Sequence, residues 1–300
     1  MIRLLLSAAA FALAAGAAPV AAQTAPATAT APAVQMEHIS IVAIGKGPDV
    51  YLIPGLSSPR AVYDGVAADL AKTHRVHLVQ INGFDGGDPR ANLKPGIIDG
   101  VIADLIRYGT DRRIGRPAVV GHSLGGLIGI AIAARHPQAV GRLMVVDALP
   151  FIGAIFNVPD AAAARPQAEA MRAQMLASAD AARARAATTV TSDPGGIWSN
   201  TPAGRIQVAN WSMKADQRVV AQAMYEDMTL DLRGELGNIA AKPFTVLYAT
   251  GAGPQATALW EREYKGSPAT LVPVADSWHF IMLDQPAEFA KQLKTFLNEK

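Results

Sequence analysis

The clearest chemistry in this sequence lies in Gly121-His122-Ser123-Leu124-Gly125. A short β-branched stretch, residues 118–120, leads into these five residues, and an apolar helix-like run, residues 127–135, leads out. A serine between two glycines at a strand-to-helix junction is the pattern of a nucleophile elbow. The turn is tight enough that side chains at Gly121 and Gly125 would meet neighbouring backbone. It forces Ser123 into a strained conformation that lifts its hydroxyl off the sheet. Free N–H groups and the positive dipole end of the following helix then face any anion that forms beside that hydroxyl. The same residues also fit a glycine-rich turn with a solvent-facing serine, so the rest of the chain has to supply a base, an acid and a second anion donor.

A serine hydroxyl is a poor nucleophile at neutral pH without a base, and histidine titrates in the right range. The sequence holds six histidines. His38, His74 and His77 precede the elbow, and His136 ends the helix after it. His122 sits inside the elbow and is expected to pack or hydrogen-bond locally. Only His279 falls in a loop after the last predicted strand. The absence of cysteine excludes disulfides and thiol catalysis. No His/Cys/Glu arrangement has metal-ligand spacing and no glycine-rich phosphate loop is present, so neither metal nor cofactor is expected. Arg112, Arg113 and Arg116 read as a solvated loop, and Arg172, Arg183 and Arg185 as the wet face of a helix.

The elements that must position these residues come from a chain of 300 residues, half of them hydrophobic, which supports a sizeable core. A net charge of +2, dispersed along the chain, leaves no footprint for nucleic acid. Residues 1–22 read as a signal peptide: Arg3 is the positive start, an uncharged apolar run follows, and Val20-Ala21-Ala22 offers small residues for cleavage. The run is short for a bilayer span, so no stable membrane insertion is expected after cleavage. The mature chain is expected to be exported, to a bacterial periplasm or outside the cell. Residues 23–35 form an Ala/Thr/Pro tract expected to be a flexible leader, with folding from near Met36.

Beyond that point, strand-like segments at 38–43, 49–53, 75–81, 118–120 and 143–146 alternate with helix-like ones at 61–72 and 97–108. This pattern predicts an α/β fold with a mostly parallel sheet flanked by helices. The alternation stops over residues 149–237. That stretch is Ala-rich and helical, with Met171, Met175 and Leu176 on one face and Val220, Met224 and Met228 on another. Strand character returns at 244–248 and 270–274, and a helix closes the chain at 286–297. The expected organisation is a core over 36–148 and 238–300, with a helical cap, 149–237, inserted after the sixth strand.

In this order the motifs resemble the α/β-hydrolase fold of the cap-bearing serine esterase/lipase type, from about Val50 to the C-terminus. Gly121-His122-Ser123-Leu124-Gly125-Gly126 matches that family's elbow. Asp276-Ser277-Trp278-His279, followed by Asp284-Gln285-Pro286 and Phe289, resembles its histidine loop and terminal helix, and Asn82-Gly83-Phe84-Asp85 sits where its Gly-Phe-Gly loop occurs. The resemblance implies Ser123 as nucleophile and His279 as general base. It implies oxyanion donors at the backbone N–H of Leu124 and, from Ile53-Pro54-Gly55-Leu56, at Leu56. Pro54 stands where many members have histidine. The family's commonest acid position, after the strand that follows the cap, reads Tyr248-Ala249-Thr250-Gly251-Ala252-Gly253-Pro254-Gln255 and holds no carboxylate. Asp147, at the end of an earlier strand, takes the acid role by analogy with a minority of members; Glu261, Glu263 and Asp276 are the alternatives.

The implied activity is hydrolysis of a small-molecule carboxylic ester without a cofactor. The pocket beneath the cap is expected to be lined by Trp278, Trp198, Met175 and Met224, although each would serve equally as cap core. Amidase, peptidase or lactonase chemistry on the same residues stays open. So does a non-catalytic binding role, motivated by the missing acid after the post-cap strand. A peptidase would need a carboxylate near the cap for a free amine, and none stands out in the sequence. Oligomeric state is not readable from it.

Overall fold

The computed structural model of the chain describes residues 32–185 and 188–299. Its sheet contains β1 (Val34–Gln35), β2 (Ile39–Gly45), β3 (Asp49–Ile53), β4 (Arg75–Ile81), β5 (Ala118–His122), β6 (Arg142–Val146), β7 (Phe244–Ala249) and β8 (Thr270–Val274). The spatial order is β1-β2-β4-β3-β5-β6-β7-β8. β2 runs antiparallel to β1 and β4, and every other pairing is parallel. Folding starts two residues earlier than expected. Val34 and Gln35 pair with Ile41 and Ser40, and the Gln35 amide donates to Asn82 Oδ1 at 2.9 Å, so these two residues leave the leader for the sheet edge. The expected signal peptide, 1–22, and the leader up to residue 31 lie outside the described residues.

The helices are α1 (Asp64–Leu70), α2 (Ile97–Asp111), α3 (Leu124–Arg135), α4 (Ala161–Arg185), α5 (Pro202–Lys214), α6 (Gln217–Thr229), α7 (Pro254–Glu263), α8 (Ile281–Asp284) and α9 (Pro286–Asn298). Strand periodicity sends alternate side chains to opposite faces, so both faces of the central strands are apolar. Tyr51, Ile53, Val119, Val145 and Val246 join one buried cluster with α2, α3 and α7. Val50, Leu52, Val120, Val146 and Leu247 join the other with α1 and α9. α3 is buried all round from Leu124 to Ala134, as an apolar helix without a polar face must be.

α4, α5 and α6 fill the connection between β6 and β7. They share the core's packing, since Val219, Val220 and Ala223 of α6 belong to the same cluster as α2 and α3. The Arg172 side chain on α4 stacks over the Tyr225 ring at 4.3 Å and donates to Gln222 Oε1 at 3.2 Å, so this arginine joins α4 to α6 instead of facing water as expected.

The sharpest tether is at the start of α2. Its N-cap is Gly96, in the left-handed region at φ 93° and with no side chain to cap the helix. Glu226, from α6, does so instead: Oε1 accepts the N–H groups of Gly96 (2.7 Å) and Ile97 (3.1 Å), and Oε2 accepts that of Ile98 (2.8 Å). A carboxylate on otherwise unpaired N–H groups at the positive end of a helix is a stabilising arrangement. Glu226→Ala is expected to lower stability by about 1–2 kcal/mol, the loss typical of a removed N-cap. Thermal unfolding would read it, and an unchanged midpoint would contradict the tether.

Candidate active site

β5 ends at His122, the backbone turns at Ser123 with φ 53° and ψ −124°, and α3 begins at Leu124. A positive φ at a non-glycine residue is strained and is held only where the surroundings impose it. Here they do. A Cβ on Gly121 would overlap the Gly125 carbonyl, and one on Gly125 would overlap the Ile53 carbonyl. From the other side, a Cβ on Gly55 would sit 2.8 Å from Ser123 Cβ and 2.9 Å from His122 Nδ1. Gly55 therefore lets the loop after β3 lie against the elbow, carrying the Leu56 backbone with it. The N–H groups of Leu56 and Leu124 make no hydrogen bond among the described residues.

His279 and Asp147 come together: Nδ1 lies 2.8 Å from Asp147 Oδ2. An ionised carboxylate only accepts, so Nδ1 carries the proton and Nε2 keeps the lone pair a base requires. Asp147 is buried at the end of β6 with φ 47°, and its other oxygen accepts the Ala249 N–H at 2.8 Å. The alternative acids lie elsewhere. Glu263 is buried against Arg262 (2.7 Å) and Arg233 (3.6 Å), while Glu261 and Asp276 are exposed.

His122 departs from the local role expected of it. Its Nε2–H donates to the His279 carbonyl at 2.9 Å, and the two rings lie 4.6 Å apart. The elbow thus holds the histidine loop directly. Burial, reinforced by His279, pushes the His122 pKa well below the usual histidine value, so His122 stays neutral beside the pair. Two of the other histidines serve structure: His77 bridges Asp49 (2.7 Å) and the Tyr108 hydroxyl (3.0 Å), and His38 bonds Asn92 at 2.7 Å.

Of the expected pocket residues, Trp198 approaches His279 edge-on at 5.6 Å, and its carbonyl accepts the Phe280 N–H at 2.9 Å. Trp278, though adjacent to His279, turns its indole onto Gly251 in the loop after β7. Met175 packs against the core cluster that contains Leu124, and Met224 is half-buried on α6. Asp284 ties the histidine loop to the insertion. It accepts the Trp278 N–H at 2.7 Å, the Ser199 hydroxyl at 2.5 Å and the Asn200 N–H at 3.1 Å. Among the described residues no group of three or more His, Asp and Glu side chains could hold a metal ion. A cavity of about 330 Å³ lies outside this cluster, between Gly86–Pro89 and residues 179–183 and 214–218.

One group at the site escaped the sequence reading. Asp227 of α6 is buried, and burial raises its pKa from 3.8 to about 7, opposed by the nearby His279 imidazole. Between those values the folded chain holds a proton that the unfolded chain has released, so stability falls as pH rises. Asp227→Asn is expected to match the wild type near pH 4 and to gain on it up to pH 7, levelling off above. The gain is at most about 4 kcal/mol by the linkage of pKa to stability. Denaturant titrations at pH 4, 6 and 8 would measure it; a constant difference across that range would contradict the burial effect.

Three comparisons bear on this geometry. A pimeloyl-(acyl-carrier protein) methyl ester esterase of Nitrosomonas europaea is 33% identical over 115 residues, which are 38% of this chain and 43% of that protein. The match thus spans less than half the length of this curated relative. The enol-lactonase of Burkholderia xenovorans superposes with a TM-score of 0.66 at 22% identity, covering 89% of this chain and 100% of that one. A thermophilic esterase of Thermogutta terrifontis gives 0.68 at 18% identity, covering 90% and 99%. At such identities the two structures speak for the fold alone. The alpha/beta hydrolase family model matches residues 50–292, from within β3 to within α9 and across the elbow, Asp147 and His279; the chain belongs to the alpha/beta hydrolase family.

Proposed function

We propose that the chain is an exported serine hydrolase that cleaves small-molecule carboxylic esters through an acyl-enzyme on Ser123. The observation that carries this reading is the Asp147–His279 pair, tied through the His279 carbonyl to His122, the residue before the strained Ser123 turn. His279 Nε2 takes the Ser123 hydroxyl proton as Oγ attacks the ester carbonyl. The carbonyl oxygen becomes an oxyanion and receives the free N–H groups of Leu124 and Leu56, with α3's positive end behind Leu124. Asp147 stabilises the imidazolium, which then gives its proton to the departing alcohol. Water repeats the sequence on the acyl-enzyme and frees the acid. The helical insertion acts as the cap, with Trp198, Met175 and Met224 around the acyl or alcohol group. Support for an ester bond comes from the methyl ester esterase relative. Support for export, with cleavage after Ala22, comes from the composition of residues 1–22.

Hydrolysis of p-nitrophenyl butyrate tests the reading. Ser123→Ala is expected to lose roughly a thousandfold or more in kcat. Turnover that survives this change would remove Ser123 from the reaction. Asp147→Asn is the finer probe. The new amide oxygen still accepts the Ala249 N–H, so its NH₂ faces His279 Nδ1 and drives the proton to Nε2, the wrong tautomer for a base. A fall of about 10⁴-fold in kcat with folding intact is expected from the equivalent change in other serine triads. Near-normal turnover would remove Asp147 from the mechanism.

A further inference from the structure

α6 packs against α2, α4 and the turn Ile152–Phe156. At its start, the Asp216 N–H donates to the Gly83 carbonyl at 2.8 Å, and a Cβ on Gly83 would sit 3.0 Å from Val219 Cγ2. Near its end Glu226 grips the first N–H groups of α2, and the helix packs on the turn Ile152–Phe156 that follows Asp147. Its inward face is therefore Val219, Val220 and Ala223, all buried in the cluster that contains Leu124. Helical spacing puts Asp227 on that face, four residues past Ala223 and seven past Val220.

Two neighbouring acids on this helix have opposite surroundings. The Glu226 carboxylate is saturated by backbone donors and by the Gln222 amide. The Asp227 side chain is largely buried and accepts no hydrogen bond among the described residues, its oxygens keep a remnant of solvent contact, and the His279 imidazole lies within its electrostatic reach. The helix neighbours on its own face, Val220, Ala223 and Met224, bring no donor. A carboxyl that only a narrow opening to solvent serves is poorly solvated, and a ligand that enters with a donor improves on that.

We propose that Asp227 is the specificity-determining group of a subsite that receives a hydroxyl or ammonium donor on the ester substrate, so that donor-bearing esters are preferred over plain ones. The inference rests on the esterase reading above. It also supplies a carboxyl in the insertion that the sequence did not display, and it places the donor on the acyl or alcohol arm of the ester.

The test compares matched substrates: p-nitrophenyl butyrate with its 3-hydroxy analogue, p-nitrophenyl hexanoate with its 6-amino analogue, and propyl butyrate with glycerol monobutyrate. In the wild type at pH 8, where the Asp227 carboxyl is ionised, at least one donor-bearing member is expected to exceed its plain partner by about tenfold or more in kcat/KM, the effect of a hydrogen bond to a charged group. In Asp227→Leu that ratio is expected to collapse to about twofold or less. Should Asp227→Leu not fold, Asp227→Asn takes its place; it keeps a neutral acceptor, so the ammonium preference collapses while part of a hydroxyl preference remains. Ratios near one in the wild type, or equal in wild type and variant, overturn the proposal. Calorimetric titration of 6-aminohexanoate, 3-hydroxybutyrate and glycerol against hexanoate, butyrate and propanol reads the same subsite without turnover. A donor-dependent affinity in the wild type that Asp227→Leu removes supports the subsite even if no ester is cleaved, an outcome that would defeat the esterase reading alone. Equal affinities within every pair overturn the subsite.

Discussion

Backbone crowding around Ser123 is the constraint on which the rest of the site depends. Three peptide segments meet there: the end of β5, the first turn of α3 and the loop after β3. They meet only because positions 55, 121 and 125 carry no side chain. The strained serine, the two free N–H groups of Leu56 and Leu124, and the access of His122 to the histidine loop all follow from that contact. A close-packed interior transmits such a constraint outward. The apolar, fully buried α3 behind the elbow has no freedom to relax the turn.

The histidine loop is held from three directions, each by a different chemistry. The Asp147 carboxylate sets the His279 tautomer, His122 grips the His279 carbonyl, and Asp284 holds the N–H of Trp278. Charge-assisted bonds to carboxylates are the stronger kind, and two of the three tethers are of that type. The insertion is tied down in the same way, by Glu226 on α2 and by Asp284 on the turn at Ser199 and Asn200. The insertion and the histidine loop therefore belong to one hydrogen-bonded framework.

Much of this was legible in the sequence because local patterns carry it. The elbow is a contiguous motif, and strand alternation and helical spacing set the sheet and its flanking helices. His279 was singled out by its place after the last strand, and Asp147 by a strand end. What the sequence withheld depends on long-range contacts. Gly96 shows no capping residue because the cap comes from Glu226, far along the chain. His122 looks local yet bonds a partner in the last loop. Adjacency suggested Trp278, whereas neighbouring side chains diverge and Trp198 from the insertion meets the ring. Asp227 reads as one more polar residue on an amphipathic helix until burial shows which side it faces. The two-residue β1 is too short to give any periodicity of its own.

The position of Asp284 has a consequence for how such a chain changes over generations. Its carboxylate reaches the backbone before His279 with one oxygen and the turn of the insertion with both. An inherited change there disturbs the histidine loop and the turn of the insertion at once, so neither can be adjusted without the other. Val220 and Met224 share a face of α6 with Asp227. Descendants of this chain therefore inherit the loop that carries the histidine and the turn of the insertion under joint constraint.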